Sequence, residues 1–487
     1  MSRLKDLIQW CRRPKMIINK GVRDKPTFNT KRLIVLISSI AIISLAIWRN
    51  VLMAVPPITP VTPIRQAYIA TSEFGGRLRI WDYDESANGY HVLQNMESAF
   101  YEALAFGDLD NDGEIELVGT QIRKSPNDSY YEVSLDIYKA GDNAHWEHVY
   151  SIASLEGIKE DKQYKHQEVV VVNVDGKPGK ELVVKTHDWL GVYKYSETEN
   201  KFTKLSSTKV FVEGKRVVFE SIVVEDIDND GLTEIVVSAN DYKSEHQGCL
   251  LIFQDSSLTH FVQVPVDAHL GPSCPQCVEI VNKKLHHSLR VGDLDGDGSM
   301  EICSSGYRKE SNVSRKWYEN GGAYRLEGDL YEVYLFMWDS DGNLLQETFV
   351  YEVHYWGFPT LTFDVGDVDP NHVGDEIAYW FNVGTEKKES GDYEYYKLAL
   401  CYFEESTLNE LWSATSEGCR SVHIADSDGD GYNQIVVSGF FENFWAVLSK
   451  EEKGTFYLEI FDEGGQSLWK RVGGEMGENE VYYMAIG

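Results

Sequence analysis

Six stretches of the chain place carboxylates or amides at alternate positions: GDLDNDGEIELVG (107–119), VNVDGKPGKELVV (172–184), EDIDNDGLTEIVV (225–237), GDLDGDGSMEICS (292–304), GDVDPNHVGDEIAY (366–379) and ADSDGDGYNQIVV (425–437). Counted from the first motif residue, the fullest copies carry Asp at positions 1, 3 and 5, Gly at 6, and Glu or Gln at 9. Three carboxylates held this close repel one another unless a cation sits between them. Hard oxygen donors on a flexible loop, with a backbone carbonyl at position 7, suit Ca²⁺ better than octahedral Mg²⁺. The expected ligand sets are Asp108, Asp110, Asp112 and Glu116; Asp226, Asp228, Asp230 and Glu234; Asp293, Asp295, Asp297 and Glu301; and Asp426, Asp428, Asp430 and Gln434. A fifth set, Asp367, Asp369 and Asn371, reaches Glu376 after one inserted residue. The copy beginning at Asn173 has Lys177 at position 5, where an ammonium can replace the cation, so that loop is expected to be empty or weak.

An EF-hand requires a bidentate Glu at position 12 and a helix on each side. Position 12 is Gly119, Val237 or Val437, and the flanks read as strands. Alternating apolar runs such as YEALAFG and SVHIAD precede the loops, β-branched runs such as EIVVSA follow them, and aromatic strands ending in turns come next. The first motif positions are spaced by 65, 53, 67, 74 and 59 residues. Six copies at that interval, each reading as four short antiparallel strands, predict a β-propeller. Residues 67–90 resemble the later strands of a unit, and ENEVYYMAIG (478–487) resembles a first strand. The two ends are therefore expected to share a seventh blade, which covers edge strands that would otherwise be open. DSDGN (339–343) lies between outer strands and reads as a hairpin turn without metal.

These motifs resemble the FG-GAP/VCBS-type repeat of integrin α-subunit head propellers and bacterial surface proteins. Phe106-Gly107 followed by DLDNDG carries the likeness most fully, and it extends over roughly residues 66–487. The resemblance implies Ca²⁺ loops on one rim and a ligand surface elsewhere. Adhesins, assembly proteins and polysaccharide lyases share the repeat, so it speaks to fold more than to function.

The rest of the chain suggests where such a ring would work. Residues 1–32 hold ten Lys/Arg against two Asp/Glu and read as a cytoplasmic basic segment. LIVLISSIAIISLAIW followed by VLMAV makes 33–55 long and apolar enough for a transmembrane helix. The positive-inside rule puts the following residues outside, in the periplasm or at the cell surface. Residues 56–65 are a Pro-rich spacer and 66–487 the propeller. The whole chain carries −31, and its acidic body argues against nucleic-acid binding. Six cysteines beyond the span, including Cys274 and Cys277 in a CPQC motif, fit disulfides. Trp146, Trp338, Trp412 and Trp469 are expected between blades, and YEVHYWGF (351–358) could line a recognition surface. His286 and His287 read as surface or strand residues, and NDS (127–129) and NVS (312–314) are sequons.

No GxSxG, HExxH or paired-acid motif is present, so no catalytic residue is assigned. The expected function is a membrane-anchored, calcium-binding propeller that binds an extracytoplasmic protein or glycan. The alternatives are a polysaccharide lyase, which would need a basic cluster in one cleft, and a structural subunit of a membrane assembly.

Overall fold

The computed structural model describes residues 68–486, apart from short stretches of which the longest are 271–288 and 442–454. All regular elements among the described residues are strands, arranged in seven antiparallel sheets. Blade 1 contains Ala103–Gly107, Glu116–Lys124, Tyr131–Ala140 and Trp146–Ile152. Blades 2 to 6 begin at the inner strands Glu168–Val172, Lys215–Glu225, Leu289–Gly292, Leu361–Gly366 and Ser421–Ala425. Blade 7 joins the C-terminal strand Val481–Ile486 to Tyr68–Glu73, Arg77–Asp84 and Gly89–Glu97. The closing register pairs Ile69 with Ile486 and Ala70 with Ala485. Each inner strand lies against the inner strand of the next blade, and the last returns to the first, so the ring is closed. The seven blades and their shared seam follow the expectation from sequence. Not every strand is short, however: Glu301–Glu319 and Gly322–Trp338 in blade 4 form a hairpin of 19- and 17-residue strands.

The core explains the strand patterns. Seven apolar clusters are present, and each spans two adjacent blades. A second strand is therefore covered on both faces, which is why EIVVSA is apolar without alternation; Ile235, Val236 and Val237 are fully buried. The outer strand Lys201–Thr208 faces solvent and stays polar. All four tryptophans expected between blades are there. Trp146 packs edge-on to Tyr68 of blade 7, and Trp338 is buried between blades 3 and 4. Trp412 of blade 5 donates to Glu463 O of blade 6 at 2.8 Å, and Trp469 of blade 6 meets Trp81 of blade 7. The glycine before an acidic loop has a related cause. A Cβ on Gly107 would lie 2.3 Å from Val171 of blade 2, and one on Gly292 would lie 2.3 Å from Val365 of blade 5.

Two expectations are corrected. Cys303 and Cys401 are not in disulfides; both are free thiols buried between blades 4 and 5. There cysteine acts as a small apolar side chain, and burial pushes the Cys401 thiol up to about 12. Tyr351 does not line a recognition surface, since it is buried and stacked on Phe381 at 4.6 Å. DSDGN does form a hairpin turn, with Gly342 N donating to Asp339 O at 2.9 Å. No helix among the described residues is long and apolar enough to cross a membrane. The segment 33–55, the spacer, Cys274, Cys277, His286, His287 and the NDS sequon lie outside those residues.

One inner-strand group gives a pH prediction. His423 of blade 6 has a side chain only 14% exposed and lies 3.8 Å from Asp364, which also takes Arg290. Burial, opposed by Asp364, pulls its pKa down to about 4. Above about pH 6.5 the histidine is neutral in both folded and unfolded chains. As the pH falls from about 6.5 to about 4, only the unfolded chain takes up the proton, so stability is lost over that window. The loss should approach about 3 kcal/mol. Denaturant melts from pH 7 to 4 should show a shallower decline for His423→Phe; parallel curves would contradict this assignment.

Candidate metal centres

All six acidic loops join an inner strand to the second strand of its blade, so they lie at one end of the strands. Two left-handed positions coil the fullest copies. Asn111 and Asn229 at position 4 have φ near +60°, and Gly113, Gly231, Gly298 and Gly431 at position 6 have φ near +90°. In the loops of blades 4 and 6 position 4 is Gly, at Gly296 and Gly429, because Asn and Gly adopt that region at least cost. The turn brings the first side chain back over the loop: Gly113 N donates to Asp108 Oδ2 at 3.0 Å and Gly231 N to Asp226 Oδ2 at 2.9 Å.

Position 9 closes the loop. Leu109 N donates to Glu116 Oε2 at 2.7 Å, Ile227 N to Glu234 at 3.0 Å, Leu294 N to Glu301 at 2.8 Å and Ser427 N to Gln434 at 2.8 Å. The neutral Gln therefore keeps the structural part of the role. Val368 N donates to Glu376 at 2.8 Å, so the blade 5 loop is closed in the same way despite its insertion.

Four loops gather carboxylate oxygens within 4.8 Å of one another: Asp108/Asp110/Glu116, Asp226/Asp228/Asp230, Asp293/Asp295/Asp297 and Asp426/Asp428/Asp430. The consequences show in the acids. Burial, together with the three neighbouring aspartates, pushes Glu234 and Glu301 up to about 7. Burial and Asp430 likewise raise Asp428.

The loops nevertheless fall into two kinds. In blade 1, Lys139 Nζ lies 3.1 Å from Asp110 and 3.1 Å from Glu116, and it hydrogen-bonds Asp112. Burial works against its charge, but these carboxylates raise its pKa above the usual range. In blade 2, Lys194 Nζ lies 3.1 Å from Asp175 and 2.5 Å from Glu181, with Lys177 Nζ 3.0 Å from Asp175. The expected ammonium is therefore present, but Lys194 contributes as well as Lys177. Lys139 and Lys194 occupy one register position, paired with Glu116 and Glu181 across the second and third strands. One step beyond Ile235↔Phe253, Ile302↔Trp338 and Ile435↔Phe461, the same position falls on Gln254, Asp339 and Asp462. In blade 5 it falls on Tyr402, which His372 stacks against at 4.4 Å. There Asn371 Nδ2 donates to Asp369 at 2.7 Å, and His372 lies 3.8 Å from Asp369. Asp367, Asp369, Asn371 and Glu376 do not form a cluster of the other kind.

Adjacent loops are also tied together. Thr233 donates to Asn173 O at 2.9 Å and Asn229 to Gly298 O at 2.8 Å. Asp375 N donates to Asp293 O at 2.7 Å and Asn433 to Asp367 O at 2.8 Å. Beside the blade 6 loop, a cleft of about 440 Å³ is lined by Tyr83, Trp469, Tyr432, Asp428 and Asp430.

No family model matches the chain, and no curated protein matches its sequence. Among solved structures, a protein from Lactobacillus plantarum is similar at 12% identity and TM-score 0.47, covering 87% of this chain and 100% of that one. The Synechocystis apocarotenoid oxygenase is similar at 8% identity and TM-score 0.43, covering 87% and 93%. The rhamnogalacturonan lyase YesW is similar at 13% identity and TM-score 0.31, covering 78% and 69%. Likenesses this distant carry no functional argument, and the ring is read from the chain's own strand order.

Proposed function

We propose that this chain is a calcium-stabilised propeller of the FG-GAP/VCBS type, held on the outer face of a membrane by residues 33–55, that binds a glycan there. The carrying observation is the set of three acidic loops, in blades 3, 4 and 6, that hold three aspartates each and, among the described residues, no lysine at the register position that carries one in blades 1 and 2. Gathering these carboxylates is costly without a counter-charge, and an oxygen-rich coiled loop suits Ca²⁺. The blade 6 cleft supports the binding role. Tyr83 and Trp469 offer rings against which the apolar face of a sugar can stack, and a cation held by Asp428 and Asp430 would accept its hydroxyls.

Calorimetric titration of the full chain should give three Ca²⁺ per chain. Melting in Ca²⁺ should exceed melting in EDTA, with about 2.7 kcal/mol per site at a hundredfold excess over Kd. Absence of both effects sinks the metal reading. Glycan-array binding should require Ca²⁺ and fall for Trp469→Ala; binding of a protein but no glycan would move the partner to that class.

A further inference from the structure

A second cavity, of about 270 Å³, lies where the inner strands of five blades converge. It is lined by Leu104, Gln167, Glu168 and Ile222, with Arg290 and with Met484 of the closing strand. The acidic loops follow these strands, and none of the proposed metal ligands lines the cavity. The cavity is apolar except at three side chains, and each has unused bonding capacity. Gln167 is fully buried, and neither its Oε1 nor its Nε2 has a partner. Glu168 is 5% exposed. Its Oε2 accepts from Ile222 N at 2.6 Å and Ser221 Oγ at 3.1 Å, while Oε1 has no partner. Arg290 gives Nε to Asp364 and Nη1 to Leu289 O at 2.9 Å, leaving Nη2 for something else. Lys185, another buried cation of this region, donates to Glu220 O, and its charge and that of Arg290 also act on Glu168, whose Oε1 nonetheless has no hydrogen-bond partner.

Buried polar atoms in native proteins are almost always satisfied, so the unused groups define a complement. Glu168 Oε1 and Gln167 Oε1 require a donor, preferably a positive one. Gln167 Nε2 and Arg290 Nη2 require an acceptor, preferably a negative one. Leu104, Ile222 and Met484 require an apolar body. The volume is that of about nine waters of liquid. We propose that the centre of the ring binds a small zwitterion of the α-amino-acid class, with its ammonium at Glu168 and Gln167 and its carboxylate at Arg290. The site is separate from the acidic loops, so it stands or falls independently of calcium.

Calorimetry on the calcium-loaded full chain tests this with L-leucine, 3-methylbutylamine and 4-methylpentanoate as probes. The last two are leucine without its carboxylate and without its amino group. Leucine is expected to bind at least tenfold more tightly than either. Glu168→Gln, which keeps an acceptor for Ile222 N, should weaken leucine at least tenfold. Val223→Phe, which adds bulk at the cavity lining, should weaken leucine at least tenfold while Ca²⁺ stoichiometry is retained, with some loss of melting temperature because Val223 also packs against the core between blades 3 and 4. If either variant does not fold, the probe comparison on the unaltered chain still decides. Failure of leucine to bind at millimolar concentration, equal binding by the amine, or a crystal structure with leucine present that shows only ordered water there would overturn the proposal.

Discussion

A chain ending at Glu478 is expected to lose its cooperative melting transition. The missing strand, Val481–Ile486, is the inner strand of blade 7 and the partner of Tyr68–Glu73. Without it, the backbone of Tyr68–Glu73 loses one ladder, and the buried Met484 and Ala485 no longer fill the junctions of blade 7 with blades 6 and 1. Removing a buried methionine side chain alone costs about 2–5 kcal/mol, against about 5–15 kcal/mol for a typical domain. The ring also loses its closure, because the contacts of the last inner strand with Ala103–Gly107 and Ser421–Ala425 disappear. Scanning calorimetry should replace one sharp transition with broad, early unfolding. Adding a peptide of residues 479–487 should restore part of it. A sharp transition within a few degrees of the intact chain would show that the seam does not close the ring.

The second large effect concerns Lys139. In Lys139→Met the carboxylates of Asp110, Asp112 and Glu116 lose their shared cation while the chain's other loops are unchanged. In EDTA this should cost about 1–3 kcal/mol, reduced from the value for a fully buried pair because the lysine is partly exposed. In Ca²⁺ the loss should vanish, since Asp108, Asp110, Asp112 and Glu116 then match the loops of blades 3 and 4. Titration should give four ions per chain where the unaltered protein gives three. The reciprocal change, Gln254→Lys, should lower the count to two and leave blade 3 insensitive to EDTA. Unchanged counts in both variants would mean that lysine does not compete with metal at this register position.

The ring was readable because its signals are local and repeated. Alternating strands, six acidic loops and two complementary chain ends each leave a mark within a dozen residues. Even the choice of Asn or Gly at position 4 has a local cause in the left-handed turn. Lys139 and Lys194 were not readable in this way. They reach Glu116 and Glu181 through strand pairing, and the hairpin between second and third strands varies in length from blade to blade. No fixed spacing therefore aligns them, and Asp108–Asp112 looked like the fullest copy although a lysine fills it. The thiols failed for a related reason: an even number of cysteines says nothing about which face of a strand each occupies. Gln167 and Glu168 carry no such local mark, because only the convergence of five blades brings them to one cavity.

The lysines also make the ring unequal. Blades 7, 1 and 2 carry either no acidic loop or one neutralised by the chain itself, and this arc contains the seam where the chain ends meet. Blades 3 to 6 hold the three open loops, and hydrogen bonds along the rim join the loops of these four blades in series. A fall in calcium would slacken one half of the circumference while the half that locks the ends together keeps its shape. On the proposed calcium reading, such a molecule would be a clasp with a permanent hinge and an adjustable jaw, its grip set by ambient calcium.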